Sequence, residues 1–188
     1  MIQLDTSWLQ HVQKPARYTG GEYNSIVKDH STVDVTMALG FPDVYEVAMS
    51  HLGIKILYGL VNRREDAVAE RVFAPWHDME EEMRKRNIPL FSLETRTPIK
   101  DFDVLAFTLQ YEMSFTNILN MLDLAGIPMY AKDRDLEFPL LVCGGPCAYN
   151  VEPIADFFDI VSLGESEEWG DEFIDLFKAE KAKGFPGG

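Results

Sequence analysis

Cys143 and Cys147 are the only cysteines in the chain, spaced like the first two ligands of a CxxxCxxC cluster motif, but the third position is Asn150. An iron–sulfur cluster normally takes at least three protein ligands. A zinc site needs two ligands beyond this pair, and no histidine lies nearby to supply one. Cys143 is therefore expected in the core and Cys147 in a loop, with no metal ligands assigned. The four histidines, His11, His30, His51 and His77, form neither HxxxH nor HExxH. His77 is followed by Asp78 at the start of a helix-like run, where capping is its cheapest role. His51 stands in MSHLGIKILYGLV, two residues before Gly53, and reads either as a ligand or as a residue at a helix start. No nucleophile–base pair occurs at a recognisable spacing, so the chain is not expected to be catalytic alone.

The apolar pattern around these residues alternates between strand-like and helix-like runs. VDVTMALGF (33–41) is apolar and β-branched, and Leu52, Ile56, Leu57, Leu60 and Val61 follow at helical spacing. AVAERVFAP predicts a second strand, and HDMEEEMRKRN a helix whose charge order suits its macrodipole. DFDVLAFTL predicts a third strand and MSFTNILNMLDLAG a helix ended by Gly126. FPLLVCGG, VEPIADFF, DIVSLGE and SEEWGDEFIDLFKAEKAKG then predict a strand, a short helix, a last strand and an amphipathic closing helix. Residues 1–32 form an N-terminal arm, with a short helix near WLQHVQ stopped by Pro15.

Apolar strands separated by helices imply right-handed β-α-β crossovers and a sheet covered on both faces. The expected fold class is α/β: a flavodoxin-like (Rossmann-like), doubly wound domain over 33–188, with about five mainly parallel strands. Ligands of such sheets bind beyond the carboxyl ends of the strands, at the switch point. Four segments then share one rim. GFPDVYEVAMSHLG is long for a β-α loop. FTLQYEMSFTN brings Thr108, Gln110 and Glu112. CGGPCAYN brings Gly144 and Gly145, which either form a tight turn or let a ligand approach the backbone. LGESEEW brings Gly164 and Glu165 to a helix N-terminus, where carboxylates suit the exposed N–H groups. Glu46, Glu112, Glu165 and Glu167 either converge on this rim or serve as solvated caps.

Composition narrows the partners. The 188 residues are 46% hydrophobic, enough for one domain with a real core. A formal charge of −14 argues against direct binding of nucleic acid. No run of about 18 apolar residues offers a membrane span, and the opening residues lack a signal-peptide pattern. The expected compartment is the cytoplasm.

Taken together, residues 33–178 resemble the cobalamin (B12)-binding domains that precede the barrel in many radical S-adenosylmethionine (radical SAM) enzymes. RYTGGEYNSIVKD, FPDVYEVAMSHLGIKILY, ERVFAPWHDMEEEMRKRNIPLFSLE, LQYEMSFTNILNMLDLAGIP and GGPCAYNVEPIADFFD resemble, more closely, the N-terminal region of one uncharacterised family of radical SAM proteins. The resemblance implies cobalamin as a cofactor of this domain. It also implies a radical SAM barrel as its partner, with S-adenosylmethionine and a 4Fe–4S cluster held in that barrel, which these residues do not include. The DxHxxG motif of histidine-ligating relatives, aligned on Gly53, puts Ser50 at the histidine and Ala48 at the aspartate, leaving His51 one residue out of register. The SxL motif becomes Thr108-Leu109-Gln110, and the GG pair is intact as Gly144-Gly145. The implied cofactor-binding set is Ser50, His51, Gly53, Thr108, Gln110, Gly144, Gly145, Gly164 and Glu165. Two outcomes fit a missing lower ligand: cobalamin bound without one, or a cofactor-free domain that docks on the barrel and shapes substrate access. A flavodoxin-like electron carrier fits less well, because FPDVYEVAMS is not a Ser/Thr/Gly-rich phosphate loop.

Overall fold

Two layers of helices cover a central sheet in the computed structural model, which describes residues 6–184. The strands are β1 (Val35–Phe41), β2 (Ala67–Phe73), β3 (Val104–Thr108), β4 (Leu140–Gly144) and β5 (Ile160–Val161). All pair in parallel, in the order β2-β1-β3-β4-β5. This is the flavodoxin-like, doubly wound order, whose direction of winding reverses between β1 and β3. Both faces of β1 and β2 are buried along their whole length, which is why VTMALGF and AVAERVF read as near-continuous apolar runs. The first five residues of the arm and the last four of the chain lie outside the described residues.

Alternation along the strands makes two cores. On one face Met37, Leu39, Val104 and Val142 pack with Ile54 of α3 (Leu52–Asn62) and with Phe173 and Ile174 of α6 (Ser166–Ala182). On the other, Ala38, Leu105 and Leu141 meet Met79 and Met83 of α4 (His77–Arg86) and Ile118 and Met121 of α5 (Phe115–Ala125). Gly126 ends α5 at φ 68, the left-handed C-cap expected of LDLAG. Helix α4 is capped differently: Trp76 holds the N-cap position without a side-chain bond, and Asp78 bonds the Gln13 and Met79 N–H groups, so His77 is not the cap.

The arm is tied down along much of its length. Trp8 and Leu9 of its short helix α1 (Thr6–Leu9) and the following Val12 are buried in the α4/α5 core. Lys14 and Arg17 pair with Glu46, and the Ile26 N–H donates to the Tyr58 hydroxyl at 2.7 Å. Lys28 Nζ donates to the carbonyls of Asn62, Arg64 and Ala67, neutralising the negative end of α3. His30 Nε2 donates to Glu70, a fully buried side chain that also accepts from Ser92 and Thr95. With the loop at 88–98, which bonds the Arg71 carbonyl through the Leu93 N–H, the arm covers the outer edge of β2.

Local structure departs from the sequence expectations in three places. The long first loop contains a helix, α2 (Tyr45–Ser50), too short for its apolar period to stand out. Residues 152–157 form a 3₁₀ turn rather than an α-helix, started by a proline near its N-terminus. The last strand pairs with β4 over only two residues, Ile160 and Val161. No helix among the described residues is long and apolar enough to cross a membrane.

Candidate functional site

A cavity of about 480 Å³ lies between the sheet and the α3/α6 layer. Its floor is the face of β3 and β4 that carries Val104, Ala106, Val142 and Gly144. Two of those four side chains are small or absent, so they leave unfilled the space between sheet and helices that larger side chains would occupy. From Val104 to Thr108 the floor runs four residue steps, about 13 Å along the strand. Of the nine residues singled out from the sequence, all but Ser50 border this space. Ser50 instead ends α2 and donates its hydroxyl to the Glu46 carbonyl at 2.7 Å.

His51 lies between two helices, as C-cap of α2 and N-cap of α3. Its Nδ1 accepts from the Ile54 N–H at 3.4 Å, which leaves Nε2 protonated, and Nε2 donates to Gln110 Oε1 at 3.1 Å. Gln110 Nε2 in turn donates to the Thr108 hydroxyl. Both imidazole nitrogens are therefore used inside the protein. The ring also packs on Phe41, with centroids 5.2 Å apart. Gly53 leaves room for this ring: a Cβ there would sit 2.9 Å from His51 Cε1 and push the imidazole aside.

The glycine pair has separable roles. Gly144 ends β4 and faces the cavity near Ser162. Gly145 has φ 111, and a Cβ on it would lie 2.9 Å from the Leu109 carbonyl oxygen, so the turn itself demands glycine. The tight turn raised by the sequence is therefore present at Gly145, and Gly144 puts bare backbone beside the cavity. Gly164, at φ 102, turns the chain into α6, whose N-cap Glu165 makes no side-chain cap bond.

Neither cysteine offers a thiolate, although Cys143 borders the cavity. Cys143 is buried, and burial pushes its thiol up to about 12. Burial also raises the Cys147 thiol, with the Glu112 carboxylate adding to the shift. Both therefore remain thiols near neutral pH. Among the described residues, no three His, Cys, Asp or Glu side chains come together as a metal site. Glu46 does not face the cavity; paired with Lys14 and Arg17, its carboxylate is held down at about 2.

Sequence inspection missed most of the helical wall, notably Trp169 and Phe173 of α6 and Tyr149 after β4. A signal was available in the four-residue spacing of Trp169, Phe173 and Phe177, whose rings pack in series along one helix face.

Strand order, switch point and cavity place the molecule among the doubly wound α/β domains, with its cleft at the carboxyl ends of the strands. Residues 53–186 match the family described as radical SAM proteins, N-terminal, and the chain belongs to that family. The match begins in the first turn of α3 and takes in both helices that wall the cavity. The uncharacterized protein MJ0966 of Methanocaldococcus jannaschii is 28% identical over 134 residues, which cover 70% of this chain and 24% of that protein. The chain thus matches about a quarter of the length of this relative.

Proposed function

We propose that this domain binds cobalamin, with the corrin ring over the carboxyl edge of the sheet and the nucleotide tail in the cavity. One observation carries the reading: the rim residues from four separate loops border a single space of about 480 Å³. That volume falls within the roughly 300–1,000 Å³ of small-molecule sites, and the cavity is mostly apolar with a few polar groups, as such sites are. The donor set fits a tail-in mode: Thr108 and Gln110 stand at the mouth, and bare backbone at Gly144 leaves room for a ribose and phosphate. It offers the cobalt no imidazole, because both nitrogens of His51 are engaged within the protein. Bound cobalamin would supply the reactive metal centre, while these side chains bind and orient it.

The rest of such a protein would be a radical SAM barrel holding S-adenosylmethionine and a 4Fe–4S cluster. Tyr111, Met113, Tyr149 and Leu163 follow the carboxyl ends of β3, β4 and β5 and are exposed, the kind of apolar rim that marks a partner surface. The same rim supports a second reading, a cofactor-free docking domain. The two separate on one experiment. Purified protein mixed with hydroxocobalamin should retain the pigment through a desalting column with a shifted visible spectrum, and Ala106→Trp, which fills the cavity floor, should weaken retention at least about tenfold while the protein stays folded. Complete separation of pigment from wild-type protein would leave the docking reading.

A further inference from the structure

The cavity is polar at one end only. His51, Thr108, Gln110 and Ser162 stand at the carboxyl edge, together with the first turn of α6. Towards the other edge the wall is Met37, Val61, Val104, Val142, Phe173 and Ile174, none of which carries a nitrogen or oxygen in its side chain. The backbone there does not compensate: Met37, Val104 and Val142 are paired within the parallel ladder. A group reaching this depth finds dispersion contacts and no hydrogen-bond partner. From that asymmetry we infer that the cavity selects among corrinoids by the polarity of their lower base, accepting an apolar base such as dimethylbenzimidazole and disfavouring adenine. Adenine would bury an exocyclic amine and ring nitrogens without partners, and desolvating such groups costs about tenfold to hundredfold in affinity.

The inference rests on the corrinoid reading, and the test separates the two. Equilibrium dialysis of the full chain against cobalamin, adenylcobamide and tail-less cobinamide should place cobalamin at least about tenfold tighter than either of the others. Binding of none of the three would refute the corrinoid reading and take the selectivity with it. Cobalamin and adenylcobamide binding within about threefold of each other, or adenylcobamide binding more tightly, would overturn the selectivity and leave the corrinoid reading standing. Val142→Thr places a hydroxyl on the floor with no change in shape, and it should narrow the gap between the two cobamides at least about threefold without loosening cobalamin by as much. Ala106→Ser serves the same purpose if Val142→Thr does not fold. An unchanged gap in a folded variant of either kind would remove the assignment to these residues.

Discussion

His51 shows how one side chain can satisfy a local need that a motif search mistakes for a ligand. It sits one residue from the histidine position of the DxHxxG motif aligned on Gly53, and the turn between α2 and α3 uses its Nδ1 and Gln110 its Nε2. The capping bond is long, so His51→Ala should cost only about 0.5 kcal/mol in urea unfolding, the low end for a lost N-cap. Retention of cobalamin by the same variant should fall by less than about threefold, since the ring borders only the mouth of the cavity. A tenfold loss would mark His51 as a ligand after all. At this scale the sequence was legible where chemistry depends on backbone: Gly145 and Gly164 each have a positive φ, and Gly53 leaves room for the His51 ring. It was least legible at Ser50, whose assignment came from motif register and whose hydroxyl bonds its own helix.

Helix α6 is tied down by ion pairs from Asp171 to Lys181. Arg64 joins Asp66, Asp171 and Asp175, Lys178 joins Asp34 and Asp66, and Lys181 pairs with Asp103 at 2.6 Å. These pairs fasten the helix to the amino edge of the sheet, while its first turn forms part of the cavity wall. Hydrogen bonds from Arg64, then Lys178, hold the Asp66 carboxylate well below its usual range. A carboxylate depressed in this way stabilises the fold above its ordinary titration range and loses that contribution as pH falls towards its folded value. Arg64→Ala should therefore cost about 1 kcal/mol of unfolding free energy at neutral pH, and the difference from wild type should shrink as the medium is acidified below the ordinary Asp range. Comparison of urea midpoints across that range checks both the size and the sign. The strands and longer helices were visible in sequence because burial on both faces, or on one stripe, imposes a period. Helix α2 was not, because six residues are too short to show one, whereas β5 was expected within DIVSLGE and only its length differs. The anchoring of α6 was hidden for a different reason: Arg64 and Asp175 are far apart in the chain, and only the fold brings them together.

At the scale of the whole molecule, the order β2-β1-β3-β4-β5 gathers loops from distant parts of the chain onto one edge. Apolar runs and their alternation were enough to expect that edge. The cavity behind it was not legible, since it depends on where α3 and α6 stop short of Ala106 and Gly144, a matter of side-chain volume across elements. Membership in the family of radical SAM N-terminal domains agrees with the architecture. The central claim is that a corrinoid tail fills this cavity while His51 stays a helix cap. Electron paramagnetic resonance of the complex reduced to cob(II)alamin tests both halves together, because a nitrogen from the tail base or an imidazole, unlike the four corrin nitrogens, visibly splits the cobalt lines. With the tail base withdrawn into the cavity and no imidazole to replace it, the cobalt lines should co-elute with the protein and show no nitrogen splitting. Lines split by a coordinated nitrogen, or cobalt that does not travel with the protein, would contradict the account.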